Sequence, residues 1–296
     1  MARMAFSSPP FAGLNLAAGN NTPVKVLLAL APIAIPAAYM VYLQRSLARH
    51  TAASAVICPP DSLSSLATSS SSSSSELSLS DRDVFPSDVR HHPDQYVVAR
   101  ERVTSHAIPV ASLRPEFISK KGNLSGLLDS YLSATLTAFS WTPQAIMMRR
   151  MVSGLEDPEA YRRTFDAEYL SACRYRPGDR VCGVYVVRSR SRSKGRVVLD
   201  FAPPEGWKGP VVEGVLIVGF DLEVAAARGR KNERESRSRS GSEGEGEVRF
   251  VNETVMWREK DGGKSTPLEG RVGRWLHTLM VRRLVVKGVQ AVMGER

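Results

Sequence analysis

Between Val26 and Leu43 the chain reads VLLALAPIAIPAAYMVYL, 18 residues without a charge. As a helix this run covers about 27 Å, close to the hydrocarbon thickness of a bilayer. Lys25 bounds it on one side, Arg45 and Arg49 on the other. Tyr39 and Tyr42 lie near the second boundary, where aromatic rings favour the membrane–water interface. Pro32 and Pro36 would kink a helix in water but are tolerated in a span whose freed carbonyls find partners. The run therefore predicts one transmembrane helix at 26–43, after an N-terminal tail at 1–25. A cleaved signal peptide competes, but the preceding tail is long for an n-region. A buried core helix fits poorly beside the low-complexity sequence that follows.

Location is less strongly marked. Arg45 and Arg49 against Lys25 favour a cytosolic C-terminal side by a narrow margin. The sequons Asn123-Leu-Ser and Asn252-Glu-Thr point the other way. No Asp or Glu precedes Asp61, which also suits a mitochondrial presequence, although arginine is sparse there. A single-pass endomembrane location is expected over a mitochondrial one, with the lipid bilayer as the first partner.

Residues 44–83 read as a disordered linker that includes seven consecutive serines, Ser69 to Ser75. Such a tract has too little apolar surface to offset its ordering entropy. A second low-complexity stretch at 226–247 reads as a disordered insertion, and Arg188 to Lys194 (RSRSRSK) as a short solvated loop. The formal charge of +10 favours anionic surfaces. Nucleic acid is an unlikely partner, because the Arg-Ser repeats are brief and no RNP-like aromatic motif accompanies them.

The segment 84–296 reads as one α+β domain. Gln95 to His106 is extended. Asn123 is placed to cap an amphipathic helix through about Phe139, with Leu124, Leu127, Leu128, Tyr131, Leu132 and Leu136 on one face. Thr142-Pro143 and Asp157-Pro158 each start a short helix. Four segments rich in Val, Ile, Phe and Tyr follow, at 180–187, 196–201, 211–221 and 248–258, joined mostly without room for crossover helices. Thr266-Pro-Leu-Glu269 has the form of a capping box, opening a helix to about Met293. The expectation is an antiparallel, four- to five-stranded curved meander packed with N-terminal helices and a long C-terminal helix.

The residues that could carry chemistry do not converge on a motif. Cys58, Cys173 and Cys182 are too few and too scattered for a disulfide framework, and no Cys/His spacing suits a metal. No nucleophile elbow, phosphate-cradling glycine loop or HExxH occurs. Catalytic residues are therefore unassigned, and neither metal nor cofactor is called for. The aromatic residues Trp141, Tyr185, Trp257 and Trp275, with His277, are the candidates for lining a hydrophobic pocket between sheet and C-terminal helix; ordinary core packing is the competing reading. Arg271, Arg274, Arg282 and Lys287 are read as a basic stripe on that helix, solvent-facing and turned toward anionic lipid.

The stretches TLTAFSWTPQAIMMRRMV, YRPGDRVCGVYVV, FVNETVMWR and GRWLHTLMVRRLVVKGV resemble an uncharacterised family of fungal single-pass membrane proteins, over about 95–294. The resemblance implies no activity. In element order the domain also resembles the hotdog fold of acyl-thioester enzymes, whose order the residues between helix and meander fit poorly, and helix-grip or lipocalin-like binding domains. Three functions follow as expectations: a membrane-anchored domain binding a hydrophobic small molecule or lipid; a cofactor-free thioesterase, isomerase or cyclase of lipid or secondary metabolism; and an interaction protein without a ligand.

Overall fold

The computed structural model describes residues 22–58, 84–118, 126–191, 195–223, 246–262 and 264–294. Side chains at 22–31, 33, 58 and 223 lie outside this description, as do Asn123 and nearly all of the 226–247 insertion. Residues 1–44 and 45–296 are separate compact units. The first holds most of α1 (Thr22–Ala48), which contains Pro32 and Pro36. Seven of the 18 side chains of the apolar run, 26–31 and 33, lie outside the description. Among the described residues, no helix is long and apolar enough to cross a membrane.

The second unit is α+β. Its strands are β1 (Thr51–Cys58), β2 (Tyr96–Ser105), β3 (Ile108–Pro109), β4 (Arg180–Val181), β5 (Tyr185–Ser191), β6 (Arg196–Phe201), β7 (Glu213–Glu223) and β8 (Glu247–Glu259). They form one open antiparallel sheet in the order β1-β2-β8-β7-β6-β5-β4, with β3 also pairing β8. The helices are α2 (Ser87–His91), α3 (Leu127–Ser140), α4 (Pro143–Val152), α5 (Pro158–Arg163), α6 (Ala167–Ala172) and α7 (Arg271–Val292). The sheet is thus an eight-stranded open one, wider than the expected four or five strands.

β8 lies centrally because both of its faces are apolar. Phe250, Asn252, Thr254 and Met256 face α3 and α7, whereas Val251, Val255 and Trp257 belong to the other face. On the first face Tyr131 of α3 stacks on Phe250 at 4.4 Å, and Val103 of β2 packs under Val281 and Val285 of α7. On the second, Val84, Phe85 and Val89 cover Val98, Val215, Val255 and Trp257.

Several sequence expectations need correction. Residues 51–58, assigned to the linker, form β1, which pairs along all of its eight residues with β2. Backbone pairing supplies what its small side chains do not, and only two residues separate it from α1. Arg188 to Ser191, assigned to a loop, belong to β5, with a register shift between Val187 and Ser189. α3 starts at Leu127 after Gly126, whose φ of 79° is left-handed. Thr142 and Asp157 cap α4 and α5 as expected, accepting from the Ala145 and Ala160 amides. The Thr266–Glu269 box closes only a turn. Glu269 accepts the Thr266 amide at 2.6 Å but is also gripped by Arg258 of β8, and the helix begins at Arg271.

Candidate functional site

The five pocket candidates are not brought together. Tyr185 is buried under α3, edge-on to Phe139 at 5.8 Å and to Phe201 at 5.4 Å. Trp257 lies on the opposite face of the sheet against Phe85 and donates its indole N–H to Glu213 at 2.8 Å. Trp141 is 74 % exposed and Trp275 37 % exposed. With Tyr185 and Trp257 on opposite faces of the sheet and Trp141 and Trp275 turned toward solvent, these aromatics do not line one cavity. At Gly288 of α7 the packing is so close that a Cβ would stand 2.5 Å from Tyr131 Cε2 and Thr135 Oγ1.

His277 takes part in a cluster that the sequence did not reveal. Glu101 projects from β2 toward α7 and is 1 % exposed. Its carboxylate meets His277 Nδ1 and the Thr278 hydroxyl, which also reaches the Arg274 carbonyl at 2.8 Å. Next to it along the same face, the Tyr131 hydroxyl donates to Asn252 Oδ1 at 2.8 Å. Burial in this seam pushes the Tyr131 phenol above its ordinary range. A buried carboxylate needs such partners. It holds the imidazole by Nδ1 and leaves Nε2 as the second ring nitrogen, the arrangement of an oriented acid–base histidine. Glu101 lies between Arg100 and Arg102 in a run that reads as charged surface, so only the strand register shows it to be buried.

The basic stripe on α7 is not one face. Arg271 and Lys287 are exposed, but Arg274 and Arg282 are half-buried. At 3.6 residues per turn the four spread over more than half of the helix circumference. The buried side of α7 is Leu279, Val281, Leu284, Val285, Gly288 and Val292, whereas Val272, Trp275 and Leu276 point outward.

Those outward residues have company. Strand register puts Cys58, Val98, Trp257, Glu213, Phe201 and Tyr185 at one end of the sheet. α3 runs toward this end, from Tyr131 at Phe250 to Phe139 at Tyr185. α7 starts there and runs away, with Thr278 at Glu101 and Val281 at Val103. Among the described residues of 45–296, eleven large apolar side chains are exposed. Nine of them lie at this end, including Trp141, Ile146, Met147, Val211 and Trp275; only Ile118 and Leu222 lie at the other.

Two open depressions of about 400 Å³ flank α4 to α6. The first is lined by Ile146, Arg149, Arg150, Ser153, Arg162 and Asp166. The second contains Cys173, whose thiol is pushed up to about 11 by burial, with Asp179 beside it at 3.6 Å. It therefore stays a thiol at neutral pH and is a poor nucleophile. Cys173 and Cys182 are both free. Elsewhere arginines serve as ion-pair partners: Arg102 and Arg196 share Asp221, Arg188 pairs with Asp200, and Arg190 with Asp129. Among the described residues, no cluster of His, Cys, Asp or Glu is arranged to hold a metal. No family model, curated protein or solved structure matches the chain.

Proposed function

We propose that this protein is a membrane-anchored module that engages lipid, or another amphiphile, on the outside of its α+β domain. The anchor in this reading is the 26–43 run. The observation that carries the proposal is the concentration of exposed apolar side chains at the Trp257 end of the sheet, beside a tightly filled sheet–helix interface. Exposed apolar side chains gathered at one end of a domain are the kind of feature that marks an interaction site. Trp141 and Trp275 suit the interfacial zone of a bilayer, and Arg271 beside Val272 adds attraction to anionic headgroups. The reading replaces an internal hydrophobic pocket by a surface. It is tested by cross-linking the full chain to a photoactivatable phospholipid in nanodiscs. Labelled peptides should cover residues 139–151 and 271–277. Labelling at Val103, Tyr131 or Val281, inside the interface, would defeat it.

A second reading, a cofactor-free acid–base enzyme acting on an apolar substrate, draws on the Glu101–His277 pair. Turnover of a membrane-extract substrate by the full chain would support it. Undiminished turnover by His277→Gln would remove it.

A further inference from the structure

We propose that the depression between α4 and α5 binds a phosphate group, the head of an anionic amphiphile or a free phosphate. The proposal rests on the surface-binding reading above only for the source of the phosphate. Three guanidinium groups, Arg149, Arg150 and Arg162, border the depression together with the Ser153 hydroxyl, against a single lining carboxylate, Asp166.

Two of the three are held in place. Arg149 lies over the Phe165 ring at 5.1 Å and donates to the Phe165 carbonyl at 3.2 Å. Arg162 donates to Ser153 Oγ through Nε at 3.2 Å and through Nη2 at 2.7 Å, and Ser153 Oγ in turn donates to the Arg149 carbonyl at 2.8 Å. Glu159, 2.7 Å from Arg162 Nη1, offsets part of that charge from outside. Arg150 is exposed and has no partner among the described residues. Fixed guanidinium groups lose little entropy when an anion docks, and a phosphate offers the several acceptor oxygens that such forks match. Ile146 forms an apolar wall, and Met147 and Trp141, close to it in the chain, are exposed as well. A phosphate head with an acyl tail satisfies both chemistries.

The test uses the full chain in phosphatidylcholine nanodiscs, with empty discs subtracted. Titration calorimetry is run with dihexanoyl-phosphatidate, with dihexanoyl-phosphatidylcholine and with inorganic phosphate. Saturable binding of the phosphatidate, at least tenfold weaker in R150A/R162A and several-fold weaker in Ile146→Ser, supports the site and the amphiphile. Phosphate binding with the same arginine dependence, and no effect of Ile146→Ser on either ligand, keeps the site and assigns it to free phosphate. That result, with failed lipid cross-linking, would defeat the surface-binding reading alone. Absence of saturable binding by either phosphate compound overturns the proposal. So does binding that R150A, a change at an exposed and unpartnered residue, and R150A/R162A both leave intact.

Discussion

Replacing Gly288 by alanine should destabilise the protein, against the ordinary expectation for a helix interior. In the middle of a helix the change gains about 1 kcal/mol from propensity. Here the new methyl would lie 2.5 Å from Tyr131 Cε2 and 2.7 Å from Tyr131 Cδ2. That ring cannot easily yield, because it stacks on Phe250 at 4.4 Å and its hydroxyl is tied to Asn252. Thr135 Oγ1, at 2.5 Å, can rotate away at less cost. Overpacking of this kind costs roughly 1–3 kcal/mol, so the net expectation is a loss of about 1 kcal/mol. For a domain of this size that is a fall in Tm of roughly 2–4 °C. The assay is thermal unfolding of the full chain in detergent, with Tyr131→Leu as the second arm of a double-mutant cycle. In that background G288A should be neutral or stabilising. A higher Tm for G288A in the otherwise unchanged chain would refute a tightly closed α3–α7–sheet contact.

Removing the Glu101 carboxylate strands the His277 and Thr278 side chains that face it, so E101A should cost roughly 2 kcal/mol, and E101Q, which still hydrogen-bonds, distinctly less; equal unfolding midpoints for both variants would contradict the pairing. Burial raises the phenols of Tyr131, Tyr175 and Tyr185 and the thiol of Cys182. A folded-state pKa above the unfolded value gives stability that is complete below the unfolded pKa and is lost as pH rises. Denaturant unfolding should therefore show stability falling above about pH 9–10, by roughly 1.4 kcal/mol per pH unit for each group engaged. A flat profile to pH 11 would oppose it.

How much the sequence disclosed depended on whether local pattern or tertiary contact decided each element. β8 was legible because its two faces are filled separately, so its alternation survives in the chain. The Thr142 and Asp157 caps were legible because capping is settled within four residues. The Thr266 box misled because Arg258, on another element, engages its glutamate. β1 was hidden in TAASAVIC, which has no apolar rhythm and is held by β2. The buried face of α7 was not legible, because α3 approaches through Gly288, a position that hydrophobic periodicity does not count. The aromatic candidates failed as a group because a sheet covered on both sides parts Tyr185 from Trp257, while Trp141 ends a helix in solvent. Glu101 shows the converse, a charge that looks exposed until the register places it under α7.

The surface-binding account turns on whether the apolar end of the domain meets lipid. The direct measurement is fluorescence quenching by brominated phosphatidylcholine in vesicles carrying the full chain. It compares a variant whose only tryptophan is Trp141 with one whose only tryptophan is Trp257. Trp141 should be strongly quenched and Trp257, packed against Phe85 and 4 % exposed, should not. An unquenched Trp141, or equal quenching of both, would contradict the account.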